Sequence, residues 1–281
     1  MWHRSYDDSP ILYLIPTPIG NMEDMTYRAV RILNEVEVIF SEDTRVTQNL
    51  LYYFNIKKKL VSLHDHNEDT VKVQVLSYLE KGYSVGLVTD RGTPIISDPG
   101  YKTVKYISNR GFHVVALPGA NAFVPALIVS GIAPLPFLFY GFLDSKTQKC
   151  KKELENLKFF EYTMIFYEAP HRILKTMQLM LEIFGNREIS LSREISKKFE
   201  SIYRGTIEEL IPTLENIKGE FVIVVSGNTV TKEDVSNLSI IEQVDFYIAN
   251  GMPKMDAIKM VSKERNIKKN DVYSEYHRGE V

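Results

Sequence analysis

The stretch SVGLVTDRGTPIISDPG, residues 84–100, constrains the fold more than any other part of this 281-residue chain. It begins with an apolar run, Val85–Val88, that has the length and β-branched content of a buried strand. Two loops rich in glycine, proline and aspartate follow, and then a helical segment. A buried strand that ends in such loops presents backbone amides to a ligand in α/β sheets. Simple turns favour the same residue types, so this stretch alone leaves both interpretations open.

Two more predicted strands end in loops of the same kind. Ile11–Ile15 runs into residues 16–20, and Val114–Leu117 runs into residues 118–122. Three such loops in one sheet indicate a shared ligand site at the carboxyl edge of the strands. No loop carries the phosphate-binding pattern G-x-x-x-x-G-K-[ST] or G-x-G-x-x-G. The pattern therefore argues against an NTPase or an ordinary dinucleotide dehydrogenase and suits a neutral or zwitterionic nucleoside.

Composition and charge limit the class of protein. A length of 281 residues with 44% hydrophobic residues fits one large or two ordinary domains. A net charge of −2 gives no global attraction to nucleic acid, so RNA binding requires local patches. The single cysteine, Cys150, excludes an internal disulfide and fits a reducing cytoplasm, where we expect the protein. The uncharged run between His113 and Asp144 is broken by prolines and glycines, so it predicts strand, loop, buried helix and strand rather than a membrane span.

Polar motifs follow several predicted strands. Ser41–Arg45 comes directly after Val36–Phe40, and Glu168–Arg172 comes after Thr163–Tyr167. Acids and arginines at these positions stand where α/β enzymes keep functional groups. Helix capping by Ser41 or Asp43 is the alternative interpretation of the first motif.

Two other polar segments are less specific. The segment His64–Asn67 has no third ligand nearby in sequence, so we expect loop contacts or RNA hydrogen bonds and no metal. The lysine cluster in residues 146–152 favours a solvated helix face over an RNA-binding surface. From about residue 228, helical spacing over 240–250, 254–265 and 271–277 predicts a separate helical tail.

Seven motifs occur in the order PTPIGN, SEDTR, HDHN, TDRGTPIISDPG, LPGANA, YEAPHR and GEFVIVVSG. Together they resemble the ribosomal small-subunit RNA methyltransferase I family, the 16S rRNA (cytidine-2′-O)-methyltransferases. That family belongs to the tetrapyrrole-methylase-like, class III S-adenosylmethionine enzymes. The resemblance runs from about Leu12 to Gly227, and the tail is similar to the family's C-terminal helical segment. It implies an α/β fold with an N-terminal domain 1–118, a C-terminal domain 119–227 and a helical tail 228–281.

The resemblance implies that S-adenosylmethionine binds in the cleft between the two domains. The cofactor-binding residues that it carries onto this chain are Pro18, Gly20, Gly92, Thr93, Pro94, Ser97, Asp98, Ala120, Asn121, Ala122, Tyr167, Glu168, Ala169, Gly219 and Glu220. Arg91 departs from the small residue that the family usually has between Asp90 and Gly92. This departure bears on the RNA contact more than on the cofactor.

The reaction implied is 2′-O-methylation of a cytidine in 16S rRNA by a homodimer that acts on the small ribosomal subunit. The candidates for a catalytic base are Glu42, Asp43 and Glu168, with His64, His66 and His171 as alternatives. The candidates for RNA contact are Arg45, His64, Asn67, His171 and Arg172, the arginines through phosphates. Two other functions remain open: methylation of a tetrapyrrole-like small molecule, and ribosome-associated binding without catalysis.

Overall fold

The computed structural model describes residues 8–214, 218–229, 235, 237–249 and 252–278. The chain divides into two compact units, Met1–Gly227 and Asn228–Val281. The described part of the first unit contains two five-stranded sheets, and that of the second contains helices.

The first sheet is parallel throughout, with the strand order β3-β2-β4-β1-β5. Its strands are β1 Ile11–Leu14, β2 Val38–Ser41, β3 Lys59–Ser62, β4 Val85–Val88 and β5 His113–Ala116. Its helices are α1 Tyr27–Glu35, α2 Thr44–Tyr53, α3 Glu68–Glu80 and α4 Tyr101–Ser108. Ile11 and Tyr13 of β1 join one apolar core and Leu12 joins another. Because side chains alternate along a strand, the sheet is covered by helices on both faces.

The second sheet has the order β6-β7-β10-β8-β9, in which β6 and β7 are parallel and the other pairs are antiparallel. Its strands are β6 Phe137–Phe142, β7 Thr163–Glu168, β8 Glu188–Arg193, β9 Ser201–Thr206 and β10 Phe221–Val225. The helices of this part are α5 Phe123–Val129, α6 Thr147–Leu157, α7 Ile173–Phe184 and α8 Ile207–Leu210.

The predicted domain boundary near Pro118 falls between β5 and α5. The lysine cluster of residues 146–152 begins just before α6 and continues along it.

One strand is not predicted by the sequence pattern, which treats residues 203–206 as the lead into a helix over 207–214. Ser201–Thr206 is strand β9, paired with β8 at the edge of the sheet. The helix starts at Ile207, as the pattern predicts, after a capping box between Thr206 and Glu209. A 3-10 turn, Ile211–Leu214, replaces its second half. An edge strand needs few apolar residues, so its pattern does not distinguish it from a loop.

The uncharged run after His113 folds as predicted into β5, a loop, α5 and β6. Across the described ranges, no helix is both long and apolar enough to cross a membrane.

The second unit contains helices α9 Ile240–Ala249, α10 Lys254–Glu264 and α11 Lys269–Arg278. The Tyr247 hydroxyl and the Gln243 amide both donate to the Glu264 carboxylate, at 2.8 Å each, and so join α9 to α10. Tyr276 of α11 hydrogen-bonds Asp245 of α9. The three predicted tail helices are present, and the predicted end at Asn250 lies outside the described residues.

Candidate functional site

The three predicted strand-end loops are joined to one another at the carboxyl edge of the first sheet. The amide of Thr17 donates to the Gly92 carbonyl at 2.9 Å, and the Gly92 amide returns a bond to the Thr17 carbonyl at 3.0 Å. The Thr93 hydroxyl donates to the Ala120 carbonyl at 3.1 Å. Gly119 lies against Pro16, so close that a Cβ at Gly119 would be 2.5 Å from the Pro16 Cβ. The contacts explain why these loops carry glycine, proline and small residues.

A cavity of about 520 Å³ opens between these loops and the second sheet. We call Ile19 and residues 91–98 the first wall, and the lining residues after 120 the second wall. The lining residues are Ile19, Arg91, Gly92, Thr93, Ile96, Ser97, Asp98, Asn121, Ala122, Phe123, Phe142, Tyr167, Glu168, Ala169, Pro170, His171, Glu194, Ile195, Lys197, Glu220, Phe221 and Val222. This volume is within the usual range of about 300–1,000 Å³ for small-molecule and cofactor sites.

Most of the predicted cofactor-binding residues lie together on this cavity. Those that line it are Gly92, Thr93, Ser97, Asp98, Asn121, Ala122, Tyr167, Glu168, Ala169 and Glu220. Those that do not line it are Pro18, Gly20, Pro94, Ala120 and Gly219. They belong to the same loops, and Gly20 and Gly219 pack tightly against Lys197 and Glu194 of the second wall.

Glu168 lines the cavity, but its carboxylate is bound by neighbouring residues of its own strand end and of α7. It accepts hydrogen bonds from the Thr176 hydroxyl at 2.5 Å and from the Ala169 amide at 2.8 Å. The Arg172 guanidinium lies 3.2 Å from it, and only 1% of the Glu168 side chain is exposed. Charge-assisted contacts of this kind fix the start of α7 against the end of β7.

Glu42 and Asp43 lie at the end of β2 and are not among the cavity-lining residues. The Asp43 carboxylate accepts from the Arg45 amide at 2.8 Å and pairs with the Arg45 guanidinium at 2.6 Å. These hydrogen bonds lower the pKa of Asp43 to about 2. Asp43 therefore caps α2, which is the alternative that the sequence left open. Glu42 accepts from the Thr89 hydroxyl at 2.9 Å.

Asp98 is the carboxylate of the first wall. Burial raises its pKa to about 6, and the negative charges of Glu42, Asp90 and Asp65 act in the same direction, while a hydrogen bond with Thr89 opposes them. A carboxyl whose pKa is shifted by burial inside a cleft is typical of functional sites.

An ion-pair network that the sequence did not predict connects the two walls. The Arg91 guanidinium lies 2.8 Å from one Glu220 oxygen, and Lys197 Nζ lies 3.0 Å from the other and 2.8 Å from Glu194. Burial raises the pKa of Glu194, but the bonds from Lys197 and from the Glu220 amide outweigh it and leave the pKa below its usual value. The only sequence signal was the charged run after β8. Arg91 and Glu220 are 129 positions apart, and the sequence around either residue does not predict that the two form an ion pair.

The candidate RNA-contact residues lie in different environments. His171 lines the cavity. The Arg45 side chain is 88% exposed, whereas that of Arg172 is 23% exposed and donates to the carbonyls of Leu143 and Asp144 at 2.9 and 3.1 Å.

The polar segment after β3 organises its own loop. The Asn67 amide group accepts from the His64 backbone amide at 2.8 Å and donates to the Ser62 carbonyl at 3.0 Å. Within the described ranges, no group of three or more His, Cys, Asp or Glu side chains is arranged to hold a metal ion.

The chain is similar in sequence to proteins of a known family. Residues 11–211 match the family model of tetrapyrrole (corrin/porphyrin) methylases. The chain is 47% identical to the ribosomal RNA small subunit methyltransferase I of Bacillus subtilis over 277 residues, covering 96% of this chain and 95% of the relative. It is 44% identical to the protein of that name from Halalkalibacterium halodurans, covering 98% and 97%. The chain belongs to the ribosomal RNA small subunit methyltransferase I family. S-adenosylmethionine is the cofactor of this family.

Solved structures of tetrapyrrole methylases share the fold. The uroporphyrin-III C-methyltransferase of Thermus thermophilus, determined with S-adenosylhomocysteine, has a TM-score of 0.54 at 19% identity, covering 76% of this chain and 96% of that one. A cobalt precorrin-4 methyltransferase has a TM-score of 0.55 at 15% identity, covering 77% and 94%. The predicted α/β tetrapyrrole-methylase fold is therefore confirmed.

The lining of the cavity fits a cofactor that carries sulfonium and ammonium cations together with an aromatic base. Acidic groups such as Asp98 and Glu220 and apolar walls formed by Ile96, Phe123 and Val222 face the same space. At Gly92, whose φ is +81°, an added Cβ would lie 3.2 Å from Ile19, so the first wall leaves no room for a side chain there.

Proposed function

We propose that this protein transfers a methyl group from S-adenosylmethionine to the ribose 2′-oxygen of a cytidine in 16S rRNA of the small ribosomal subunit. Near full-length identity of 47% to a relative named ribosomal RNA small subunit methyltransferase I carries this proposal. The cavity supports it, since a small-molecule cofactor and an exposed nucleotide can meet where the cleft opens between the two sheets. We also propose that the protein forms a homodimer and is located in the cytoplasm. Its domains would be residues 1–118, 119–227 and 228–281.

The cofactor would be held by the predicted residues that line the cavity, with the backbone of Gly92 and Thr93 on the first wall and of Tyr167 and Ala169 on the second. The methyl group of a sulfonium is already activated, so the cofactor supplies the difficult chemistry. The protein's task is to align the ribose oxygen with the methyl carbon, and alignment contributes on the order of 7–11 kcal/mol to lowering a barrier.

RNA would approach along the carboxyl edge of the first sheet, where α2 begins. Arg45 at the start of α2 is charged and exposed, and guanidinium groups make forked contacts with phosphates. His171 at the mouth of the cavity is a second contact in this proposal. Arg172, whose guanidinium is occupied by carbonyls and Glu168, would then act by holding the end of β7 in place.

The test is methyl transfer from labelled S-adenosylmethionine to small ribosomal subunits that lack the modification. After transfer, nuclease digestion and mass spectrometry locate the methyl group. We expect a ribose-methylated cytidine and no methylated base. A methylated base would contradict the 2′-O assignment, and transfer to a uroporphyrin or corrin precursor instead of to subunits would replace the rRNA substrate with a tetrapyrrole.

A further inference from the structure

Four carboxylates line the cavity: Asp98, Glu168, Glu194 and Glu220. Three of them are paired with a cation. Glu168 is held by Arg172, Glu194 by Lys197, and Glu220 by both Arg91 and Lys197. A carboxylate held by a cation is a weak base, because the cation stabilises its charged form.

Asp98 differs from these three. Within the described ranges, no Lys, Arg or His side chain forms an ion pair with it, and its polar neighbour is the Thr89 hydroxyl at the end of β4. That hydroxyl donates to Glu42 at 2.9 Å and also hydrogen-bonds Asp98, so the two carboxylates share one donor. Because a carboxylate has about four lone-pair sites, that of Asp98 keeps unused hydrogen-bonding capacity on the wall of the cavity.

The charges around Asp98 also favour proton uptake. After burial, which is the main cause, the acids Glu42, Asp90 and Asp65 raise its pKa to about 6. The Tyr167 hydroxyl on the second wall hydrogen-bonds the backbone of Ala122 and Phe123 and stays neutral, because burial, together with the charge of Asp98, raises the pKa of Tyr167 to about 12. A general base works best when its pKa lies near the operating pH.

We propose that Asp98 is the general base of the methyl transfer and takes the proton from the ribose 2′-hydroxyl. The inference rests on the proposed function, because it assigns a residue to that reaction. The 2′-oxygen loses its proton to the Asp98 carboxylate and forms a bond to the methyl carbon. The electron pair of the broken carbon–sulfur bond stays on sulfur. Charge balances, since one cation and one carboxylate give a neutral thioether and a neutral carboxylic acid.

This assignment differs from the candidates that the sequence offered. Glu42 and Asp43 do not line the cavity, and Glu168 lines it with a carboxylate that is enclosed by its own partners. The family resemblance implies cofactor binding by Asp98, and it does not distinguish a ligand of the cofactor from a base beside it.

The first experiment separates cofactor binding from proton transfer. Asp98→Asn is compared with Asp69→Asn, the same change at an exposed carboxylate outside the cavity that pairs with Lys72 and Lys102. We expect Asp98→Asn to lower kcat on small subunits by about 10²–10⁴-fold, while calorimetry gives a much smaller change in the Kd for S-adenosylhomocysteine. Asp69→Asn should keep the wild-type kcat.

The second experiment measures protonation without any ligand. With ¹³C-carboxyl-labelled aspartate, one NMR signal should titrate near pH 6 and be missing in Asp98→Asn. Glu42→Gln removes a negative charge and should move this titration to lower pH. The pH dependence of transfer should move with it, since transfer is lost as pH falls and Asp98 is protonated. Glu42→Gln should also reduce kcat less than Asp98→Asn does.

Several results would overturn the assignment. A kcat for Asp98→Asn that equals that of the wild type rules out Asp98 as the base, and a larger loss in Glu42→Gln or His171→Ala transfers the role to that residue. A loss of S-adenosylhomocysteine affinity in Asp98→Asn that matches the loss in rate makes Asp98 a cofactor ligand only. If wild-type protein methylates no ribose 2′-oxygen, the proposed function fails, whatever Asp98 does in the NMR titration.

Discussion

The two walls of the cavity use their acidic residues in opposite ways. On the second wall, Glu168 is enclosed by Thr176, Ala169 and Arg172 and ties a strand to the following helix. On the first wall, Asp98 has the Thr89 hydroxyl and three neighbouring acids, and burial keeps its pKa raised. Removing the charge of a paired buried carboxylate destabilises the fold, whereas a buried carboxylate without a cation costs stability while it is ionised. We therefore expect Glu168 to contribute to stability and Asp98 to contribute to the proposed proton transfer.

The largest effect expected is on stability, at the second wall. Glu168→Gln removes the charge that the Arg172 guanidinium and the Thr176 hydroxyl surround. Breaking a buried ion pair in this way costs about 3–5 kcal/mol, so thermal unfolding should occur at a clearly lower temperature.

The matched change on the first wall is Asp98→Asn. The folded-state pKa of about 6 lies above the ordinary aspartate pKa of 3.8, so ionised Asp98 destabilises the folded protein, and this effect is complete once the pH exceeds about 6. At pH 7 the variant should be at least as stable as the wild type, and its advantage should disappear as the pH falls from 6 to 4. Equal destabilisation by the two variants would erase the contrast between the walls.

The next effect concerns the backbone of the first wall. Gly92 and Gly82 both have left-handed backbone, with φ of +81° and +86°, but only Gly92 lines the cavity, and nothing lies within 4 Å of a Cβ at Gly82. Gly92→Val and Gly82→Val should therefore share the backbone strain. We expect only Gly92→Val to weaken S-adenosylhomocysteine binding, by about 100-fold or about 2.7 kcal/mol in calorimetry. Similar losses in both variants would mean that strain, and not the cavity, decides binding.

The carboxyl edge of the first sheet could be predicted from the strand pattern, whereas Tyr167, Glu168 and Glu220 of the second wall followed only from the family resemblance, and the ion pairs of that wall could not be predicted. In a parallel sheet the strand ends meet at one edge, so loops 16–20, 90–100 and 118–122 were expected together, and the bonds from Thr17 to Gly92 and from Thr93 to Ala120 join them. In the antiparallel part, pairing of β8 with β10 brings Glu194 beside Glu220. No local pattern encodes that contact, and edge strand β9 was missed because few of its residues are apolar.

A smaller effect separates two arginines that the sequence treated alike. Arg172→Ala removes donors to two carbonyls and the cation beside buried Glu168, so it should cost about 2 kcal/mol of unfolding free energy. Arg45→Ala should leave stability nearly unchanged and reduce the slope of log affinity for small subunits against log salt by about 1. Filter-binding at several salt concentrations measures this slope. An unchanged slope for Arg45→Ala would remove Arg45 from the RNA contact.

The smallest effect is expected where the two walls are joined by exposed charges. More than half of each side chain in the Arg91–Glu220 pair is exposed, and exposed ion pairs contribute about 0–1 kcal/mol. Arg91→Ala, which restores the small residue usual in the family, should therefore change the free energy of unfolding by less than about 1 kcal/mol. A larger loss in urea unfolding would mean that this network fixes the two walls together.

We propose that the cavity between the two sheets is the cofactor site, and a crystal structure of the protein with S-adenosylhomocysteine tests this proposal. We expect density for the ligand between Gly92 and Thr93 on one side and Tyr167 and Ala169 on the other, with the Asp98 carboxylate facing the open end of the cavity. Ligand density elsewhere on the protein, with this cavity empty, would contradict it.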